Sequence, residues 1–299
     1  MMGVSLLDLS RLRLLLELHR RGTITAVAQA LSYSPSTVSQ QLATLEREAG
    51  VRLLEPAGRR VRLTPQAELL VEHAKGLLEQ VERAESALAC AQDEIAGTLH
   101  VAAFQTAVLT LVPPAIARLA QHHPRLRVEV DELEPEVALP ELLTGTFDLV
   151  IAEEYPGHPL PRSRETDQEV LLHDELRLVV PTSWDARRLN ELADRPFVME
   201  AAGSTARTWA NAACREAGFE PDIRYSSSDL LVHLRMVEEG LAAALLPALA
   251  GAQDRLGVRV HPLDHSPHRK ILATLRSGAA KHPKTRAFIK ALRTKTATD

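Results

Sequence analysis

The stretch SPSTVSQQLATLEREAG, residues 34–50, decides the fold of the first part of the chain. Ser34 and Pro35 predict a helix start, because a serine oxygen can accept from the free amides of a first turn and proline has no amide to leave unsatisfied. Gly50 predicts the end of this helix. Its apolar side repeats at helical spacing, is expected to be buried, and consists of Val38, Leu42, Leu45 and Ala49.

The opposite side of this helix carries short hydroxyls and amides, namely Ser36, Thr37, Ser39, Gln40 and Gln41. Such groups can bond base edges and phosphates at a helix N-terminus, where the helix dipole favours an anion. A helix that merely faces water more often carries glutamate and lysine. The stretch therefore favours a helix that reads DNA over the alternative, a three-helix interaction module with a polar surface.

The flanking segments are typical of a winged helix-turn-helix. Asp8–Arg21 is amphipathic and is followed by Gly22, and a short helix rich in small residues is expected from about Thr25 to Leu31. Residues 58–63 alternate like a short β-hairpin, whose arginines can hold the phosphate backbone. The expected DNA contacts are Thr25, Ser34, Pro35, Ser36, Thr37, Ser39, Gln40, Arg59, Arg60 and Arg62.

The charge is distributed unevenly along the chain. Residues 1–64 hold nine arginines and five acidic residues, which makes this part +4. The whole chain is −4, so the remaining 235 residues carry −8. This asymmetry is typical of a basic DNA-binding module joined to an acidic body.

The next segment is expected to be one long helix that starts at Thr64 and Pro65. Both apolar positions of a heptad are filled throughout, by Ala67, Leu70, Ala74, Leu77, Val81, Ala84, Leu88, Ala91 and Ile95. Such a pattern favours pairing with a second helix, and the alternative is a helix that lies on the core of its own domain. Gly97 predicts the linker to the next domain.

Strand-like and helix-like segments alternate from residue 98 onward, which favours βαβ units around parallel sheets. The expected strands include residues 98–104, 125–130, 147–152, 176–181 and 242–247, and the expected helices include residues 113–122, 204–217 and 229–239. The last strand, residues 269–276, and the helix after Pro283 have no partners left in the second set. They are expected to return to the first set, which gives two α/β subdomains with chain crossings near residues 163 and 267.

Two such subdomains would form a cleft where strand carboxyl ends and helix N-termini converge. A helix start there can offer free amides and hydroxyls to an anion, although the same residue types also serve as ordinary caps and turns. Arg207 is a candidate partner for a carboxylate. The residues expected to bind a small effector are Phe104, Gln105, Thr106, Glu153, Gly203, Ser204, Thr205, Ser227 and Ser228.

Enzyme chemistry finds little support, since the chain has no G-x-S-x-G, P-loop, H-E-x-x-H or G-x-G-x-x-G motif. His261, His265 and His268 lie among prolines, are interpreted as an irregular loop and fit no standard metal spacing. Cys90 and Cys214 are too far apart along the chain to favour an intrachain redox pair. Neither catalytic residues, a cofactor nor a metal is expected. No signal sequence or apolar run of about 18 residues is present, so a cytoplasmic protein without membrane contact is expected.

The segments ITAVAQALSYSPSTVSQQLATLEREAGVRLL, residues 24–54, and RRVRLTPQAELL, residues 59–70, resemble the LysR-type transcriptional regulators. The shared pattern is LTYxxAxxLxxSxxxVSxQLxxLE. The resemblance implies a winged helix-turn-helix, a long dimerising helix and a periplasmic-binding-protein-like domain that senses a small effector. It also implies homodimers that assemble into homotetramers, with double-stranded promoter DNA and RNA polymerase as further partners.

The resemblance assigns Ser39 to a hydroxyl position that contacts DNA. Pro35, Ser36 and Gln40 fall at positions that face the groove, where the family often has Gln, Pro and Arg. The base contacts implied for these three positions therefore differ from the family's usual set.

The wing departs from the family pattern as well. Leu54 and Pro56 stand where the family usually has Phe and Arg. The resemblance therefore leaves one backbone contact to be supplied by Arg59 or Arg60.

The expected organisation is a winged helix-turn-helix domain at residues 1–64, a dimerisation helix at 65–96 and an effector-binding domain at 97–299. Subdomain I of the last comprises residues 97–163 and 268–299, and subdomain II comprises residues 164–267. Two alternatives remain. A solute-binding protein with an N-terminal interaction module would need an export signal, and an enzyme with an N-terminal regulatory domain would need a catalytic constellation.

Overall fold

The computed structural model describes residues 6–57, 60–92 and 94–293, and of residue 60 only the backbone. The chain divides into two compact units, residues 1–92 with 277–282 and residues 93–276 with 283–299. The expected fold class is confirmed, because the first unit is mainly helical and the second is α/β. Within the described ranges, no helix has both the length and the apolar character needed to cross a membrane.

The first unit has the elements of a winged helix-turn-helix. In chain order they are α1 (Leu9–Arg21), α2 (Ile24–Ala30), α3 (Pro35–Ala49), β1 (Leu54–Ala57), β2 (Arg60–Leu63) and α4 (Pro65–Cys90). Strands β1 and β2 pair antiparallel and form the wing, with Leu54 opposite Leu63 and Ala57 opposite Arg60.

Each of these four helices begins at a side chain that accepts a hydrogen bond from an amide of the first turn. The caps are Asp8, Thr23, Ser34 and Thr64. Ser34 Oγ accepts from the Thr37 amide at 3.1 Å, and such a cap contributes about 1 kcal/mol. Gly50 follows α3 with a φ of 67°, which glycine adopts without steric cost. The boundaries expected for α3 are confirmed.

The apolar faces of these helices meet in one core. Its largest side chains, each at most 1% exposed, include Leu12, Leu15, Val38, Leu42 and Leu45. The first turns of α4 complete this core with Ala67, Val71 and Ala74. The beginning of α4 therefore lies on the core of its own unit, as the alternative interpretation of the heptad pattern has it.

The remainder of the α4 seam is not covered within the unit. Leu77 and Leu88 are 46% and 70% exposed. The helix has 26 residues, a length of about 39 Å, and it ends at Cys90. Ala91 and Ile95, expected as the last seam positions, therefore lie beyond the helix, because the chain has to become extended to enter a strand at Gly97.

A segment from much later in the chain contacts α4. The 3₁₀ turn Ser277–Ala279 belongs to the first unit. Ser86, which is 3% exposed, donates to the carbonyl oxygen of Gly278 at 3.2 Å. A β-carbon on Gly278 would come within 2.7 Å of the Glu79 carbonyl oxygen, so this close approach depends on glycine.

The second unit alternates strands and helices. In chain order they are β3 (Gly97–Ala103), α5 (Gln105–Thr110), α6 (Val112–His122), β4 (Leu126–Glu132), α7 (Pro135–Thr144), β5 (Leu149–Glu154), β6 (Thr166–Pro181), β7 (Pro196–Met199), α8 (Thr205–Glu216), β8 (Asp222–Ser226), α9 (Leu230–Glu238), β9 (Ala244–Pro247), β10 (Val258–Pro262), β11 (His268–Arg276) and α10 (Pro283–Arg293).

These strands form two lobes that share β6. The first lobe has the strand order β4-β3-β5-β11-β6, in which β3 runs parallel to β4 and β5, and β11 runs antiparallel to its neighbours. In the second lobe, the last part of β6 pairs antiparallel with β9 and β10, and β7 pairs parallel with β8. The sheets are therefore mixed rather than purely parallel.

Strand β6 begins after the subdomain boundary expected at residue 163 and itself passes from one lobe to the other. Residues 166–175 pair with β11, and residues 176–181 pair with β9 and β10. The first crossing therefore lies near Glu175, whereas the return occurs just before His268, close to the expected residue 267. The early half of β6 lies at the edge of the first sheet, so its burial is partial and its sequence lacks the continuous apolar run of the later half.

Strands β7, β8 and β10 are not predicted from the sequence, because segments of four or five residues are too short to show a clear period and, unlike β9, none lies in a longer apolar run such as residues 242–247. In the structure His261 lies in β10 and His268 is the first residue of β11. Neither histidine therefore lies in the irregular loop expected for them. Only His265, with a φ of 63°, lies in the turn between these two strands.

Candidate functional site

The N-terminal part of α3 presents a polar surface to solvent. Ser36, Ser39 and Gln40 are exposed and Thr37 is half-buried. On the other side of the helix, Val38 is 0% exposed. Helical spacing thus decides which side chains of α3 remain available to a partner.

The hydroxyls at the start of α3 hold one another in place. Ser34 Oγ lies 2.8 Å from both Ser36 Oγ and Thr37 Oγ1 while it caps the helix. Pro35, and Thr25 on α2, are also exposed. The first turn of α3 therefore offers an ordered set of hydroxyl donors and acceptors.

The two neighbouring glutamines of α3 have different surroundings. Gln41 Oε1 accepts from Arg11 Nε at 2.9 Å, and the same arginine is paired with Glu48. Gln41 therefore ties α1 to α3, whereas Gln40 is exposed. The sequence alone gives both glutamines the same polar face.

The wing is attached to α3 through Glu46, whose Oε1 accepts from the amides of Leu53 and Leu54 at 2.8 and 3.0 Å. On the wing, Arg62 Nε donates to Glu55 Oε1 at 2.7 Å. The Arg62 side chain is 74% exposed, so this pair contributes only about 0–1 kcal/mol and can be exchanged for a phosphate. Arg59 and the side chain of Arg60 lie outside the described residues.

One further cation on α3 was missed by the sequence analysis. Arg47 lies seven residues after Gln40, which places it on the same side of the helix. It is exposed and donates to Thr44 Oγ1 at 2.7 Å. Its helical spacing from Ser36 and Gln40 is the signal that could have identified it.

In the second unit, five strand ends converge on one cleft between the lobes. Strands β3, β4 and β5 are parallel, so their carboxyl ends lie at the same edge, where Phe104, Glu134 and Glu153 are found. Strands β7 and β8 are also parallel and are followed by Glu200 and Ser227. The arrangement is the one expected for a ligand site between two α/β subdomains.

Arg269 of β11 forms the floor of this cleft. Its side chain is 2% exposed and donates through Nη2 to Asp174 Oδ2 and Thr106 Oγ1, both at 2.7 Å. It also pairs with Glu153 and lies 5.0 Å from the centre of the Phe104 ring. Phe104 and Thr106, which the sequence predicts to bind effector, are only 2% and 1% exposed. Both instead contact the Arg269 side chain and help to hold it in place.

Arg269 and Asp174 are not among the residues predicted from the sequence to form the cleft site. Each lies within a strand and carries no motif, and the two are separated by 95 residues. Only the pairing of β11 with β6, which sets Arg269 opposite Asp174, brings them together. No local sequence signal identifies such a pair.

Gln105 connects the two lobes across the cleft. Its Nε2 donates to Asp229 Oδ1 at 2.8 Å, and its Oε1 accepts from the Leu230 amide at 2.9 Å. Asp229 is the N-cap of α9. The side chain of Gln105 therefore extends from the first lobe to the helix cap of the second.

A cavity of about 160 Å³ opens beside this connection. Its lining comprises Glu134, Pro135, Glu136, Glu153, Leu160, Glu200, Ala201, Ser204, Thr205, Ala206 and Ser228. Four of the nine expected effector residues line it, namely Glu153, Ser204, Thr205 and Ser228. The cavity takes its walls from both lobes, so a molecule bound there would touch both.

Helix α8 begins at this cavity. Ser204 Oγ accepts from the Arg207 amide at 3.1 Å, which makes it the N-cap. Thr205 Oγ1 donates to Glu136 Oε1 of the first lobe at 3.1 Å. The hydroxyls that the sequence assigns to an anionic ligand are thus already engaged with groups of the protein.

The remaining expected residues lie near the cavity but are not part of its lining. Ser227 donates its amide to the Met199 carbonyl and accepts from His233 Nε2 at 2.7 Å. Gly203 is exposed at a φ of 95° before α8. Arg207, the candidate carboxylate partner, donates to the Glu200 carbonyl oxygen at 3.0 Å.

Three carboxyl groups of the cleft, those of Glu134, Glu153 and Glu200, have a raised pKa. Burial, and next the charge of Glu153, raises the pKa of Glu134 and of Glu200 to about 7. Burial also raises the pKa of Glu153, while the charge of Arg269 opposes that rise. The protonation of the cleft therefore changes near neutral pH.

Two family models match consecutive parts of the chain. Residues 9–68 match the bacterial regulatory helix-turn-helix protein of the lysR family, and residues 92–297 match the LysR substrate binding domain. The first match covers α1 to the start of α4, and the second covers the whole two-lobed unit.

Full-length relatives are also found. The chain is 30% identical over 275 residues to the DNA-binding transcriptional dual regulator OxyR of Escherichia coli (strain K12). The alignment covers 89% of this chain and 88% of that protein. It is 28% identical over 297 residues to the probable HTH-type transcriptional regulator LrrA of Synechococcus elongatus, with 96% and 97% covered.

Solved structures share the fold along nearly the whole chain. A full-length OxyR variant from Pseudomonas aeruginosa has a TM-score of 0.67 at 22% identity and covers 96% of this chain and 94% of its own. HinK, a LysR family transcriptional regulator from Pseudomonas aeruginosa, has a TM-score of 0.59 at 21% identity, with 96% and 98% covered. Family models, relatives and fold agree, and the chain belongs to the LysR family of DNA-binding transcriptional regulators with an effector-binding domain.

Proposed function

We propose that this regulator recognises its operator through the exposed side of α3 and alters its DNA binding when a small molecule occupies the cleft of the second unit. The observation that carries the first part is the exposure of Ser36, Ser39 and Gln40 on a helix whose opposite side is buried. Short hydroxyls and an amide can bond base edges in the major groove. Gln40 is the side chain best suited to bidentate readout of an adenine.

The wing and the end of α3 supply phosphate contacts in this proposal. Arg62 and Arg47 are exposed and held only by weak surface interactions. Arg60 joins them by its place on β2. Such contacts position the protein without specifying sequence.

Two copies pair through the later part of α4. Leu77 and Leu88 are exposed at seam positions of the heptad pattern, and their burial against a second α4 would remove apolar surface from water. A dimer of this kind presents two α3 helices to successive major grooves of a pseudo-palindromic operator. We further propose assembly of dimers into homotetramers and contact with RNA polymerase at the promoter.

The cleft is the control element. Gln105 with Asp229 and Glu136 with Thr205 join the lobes in the arrangement described. A ligand that binds this arrangement better than a more open one shifts the balance between the two. We propose that the shift changes how the dimer holds its operator.

Neither a catalytic step nor a cofactor forms part of this function. The sequence motifs of the common hydrolases, kinases and dinucleotide enzymes are missing from the chain. Because operator DNA is the partner, we propose that the protein acts in the cytoplasm.

Several relatives are named hydrogen peroxide-inducible genes activators, which raises peroxide sensing as a second candidate. A peroxide-reactive cysteine needs an accessible thiolate. Cys214 is 0% exposed, and burial raises its pKa to about 12. Cys90 is exposed and its thiol points to the Lys281 carbonyl oxygen, 3.6 Å away. We therefore propose that signalling goes through the cleft and not through a thiol.

DNA readout is tested with an operator selected from random duplexes. Gln40→Ala should weaken binding to that operator by about 1–3 kcal/mol and relax the preference at one base pair. Arg62→Ala should weaken binding to every sequence and reduce the salt slope of log K by about one. Both are measured by fluorescence anisotropy at several salt concentrations.

Gln41→Ala is the matched control, since Gln41 is bound to Arg11 inside the unit. It should leave the base preference unchanged. A Gln41 variant that alters base preference while the Gln40 variant does not would show that α3 reads DNA through another face.

A further inference from the structure

We infer that the effector of this protein is a small organic cation, with ammonium or guanidinium groups on a short apolar chain, that binds among Glu134, Glu136, Glu153 and Glu200. This inference rests on the proposed role of the cleft as effector site. It names the chemical class of the ligand. The hydroxyls and the helix start at residues 203–205, taken alone, predict an anion instead.

The charge of the cavity is one-sided. Every titratable side chain in its lining is a glutamate. Two arginines contact residues of this lining, and both are already engaged: Arg269 pairs with Asp174 and Glu153, and Arg207 donates to the Glu200 carbonyl oxygen at 3.0 Å. The four glutamates of the lining therefore outnumber the two guanidinium groups beside it, and an anionic ligand would meet like charge on entry.

The anion-binding capacity of α8 is also in use. Glu136 of the first lobe accepts from Thr205 Oγ1 at 3.1 Å. Ser204 Oγ caps its own helix by accepting from the Arg207 amide at 3.1 Å. The Glu136 carboxylate therefore already compensates the positive end of this twelve-residue helix. The start of the helix consequently offers little further attraction to an anionic ligand.

The arrangement of the glutamates favours an organic cation over a metal ion. Across the described residues, no three His, Cys, Asp or Glu side chains come close enough to share one metal ion. Charges spread around a wider cavity instead suit a molecule with separated cationic groups. Pro135, Leu160 and Ala201 supply apolar wall between the carboxylates for an alkyl chain.

The volume limits the size of the ligand. A cavity of about 160 Å³ is close to the engineered cavity of about 150 Å³ that accepts benzene. A linear molecule of about six heavy atoms therefore fills it, and a longer one would extend out of the cleft. Alkyl diamines and their guanidino derivatives have this size and charge.

The titration of the cleft agrees with this assignment. The pKa of Glu134 and of Glu200 is raised to about 7 by burial and by Glu153. A bound cation would compensate that repulsion and return both groups to the ionised state. In the unliganded cleft, burial and the charge of Glu153 thus oppose the ionisation of Glu134 and Glu200, and a bound cation would favour it.

The experiment compares three four-carbon molecules on the full-length protein: 1,4-diaminobutane, butane-1,4-diol and succinate, each at matched ionic strength. Binding is measured by thermal shift and by calorimetry, and diamines of two to six carbons and agmatine extend the cationic series. We expect members of the cationic series to raise the melting temperature and to bind, and neither the diol nor succinate to do so.

Two variants localise the binding. Glu136→Gln combined with Glu200→Gln removes two carboxylates without changing side-chain size and should weaken the best cation by about tenfold or more. Glu216→Gln removes an exposed carboxylate from the far end of α8 and should leave the affinity unchanged. Equal affinity in both variants would place the cation elsewhere and overturn the inference.

The remaining outcomes separate the inference from the proposed function. Stabilisation by succinate or other carboxylates, with no cation bound, overturns the inference and leaves control through the cleft intact. No binding by any of the cationic series likewise overturns it. If a cation binds through Glu136 and Glu200 but the operator affinity is unchanged, the assignment of a cation site to the cleft stands and the proposed control of DNA binding by the cleft fails.

Discussion

Ser204 and Thr205 show how a residue's role depends on its neighbours. Their sequence, a hydroxyl pair at a helix start, is typical of an anion site as well as of a cap. In the structure Ser204 is the cap, and the neighbouring groups of the cavity are glutamates from both lobes. The same hydroxyls therefore take part in an acidic site.

At the residue scale, the raised pKa of Glu134 and Glu200 predicts the pH dependence of stability in the unliganded protein. Folding favours their protonated forms, so the stabilising contribution is complete below the ordinary value of 4.5 and is lost as pH rises through about 7. The melting temperature should fall between about pH 4.5 and about pH 7. Glu200→Gln cannot ionise and should flatten this fall by on the order of 1 kcal/mol, or about 2–4 °C.

The measurement is a series of thermal denaturation curves across that pH range. Glu216→Gln again serves as the control, because it removes an exposed carboxylate from the same helix. Parallel pH profiles for the wild type and the Glu200 variant would contradict the assignment of a raised pKa to Glu200.

At the element scale, α4 divides its apolar seam between two uses. Ala67 and Ala74 are buried in the core of the first unit, but Leu77 and Leu88 are exposed. Ser86, a polar residue near the end of this helix, is buried and donates to the carbonyl oxygen of Gly278. The heptad pattern alone does not show which seam positions are buried within the unit and which are exposed, because all of them are apolar.

Leu77→Asp combined with Leu88→Asp should therefore convert dimers to monomers, since two charges would be buried in an apolar interface. Size-exclusion chromatography with light scattering measures the change, and circular dichroism should show an intact helix. Leu69→Asp is the matched control, because Leu69 is 63% exposed on the same helix but lies off the seam. Dimers that persist in the double variant would place the interface elsewhere.

At the scale of the whole molecule, the family likeness and the chemistry of the chain separate. Relatives named for peroxide induction share the domain order and about 30% of the residues. The sequence has two cysteines, and Cys214 is buried with a raised pKa. Similarity in architecture to these relatives therefore does not by itself assign their signal to this chain.

This separation predicts that peroxide leaves operator affinity unchanged. Iodoacetamide should label Cys90 in the folded protein and Cys214 only after unfolding, because alkylation needs an accessible thiolate. Mass spectrometry and DNA-binding titrations before and after peroxide measure both effects. A peroxide response that disappears in Cys90→Ser or Cys214→Ser would instead establish thiol sensing.

Much of the first unit is predictable from its sequence because local interactions dominate there. Ser34, Pro35 and Gly50 set the limits of α3, and the spacing of Val38 and Leu42 sets its buried face. In the second unit, the alternation of strands and helices and the return of β11 are likewise visible from residue patterns. The place where β6 passes between lobes is not visible, because an edge strand buries its side chains only partly.

The sequence by itself determined the caps, the helix faces, the α/β alternation and the basic first unit, since each depends on residues close together in the chain. Only the tertiary structure decided which glutamine of α3 is exposed, which part of the α4 seam is free and what charge the cleft carries. Those properties depend on contacts such as Arg269 with Thr106, 163 residues apart, and no local pattern encodes a contact at that separation.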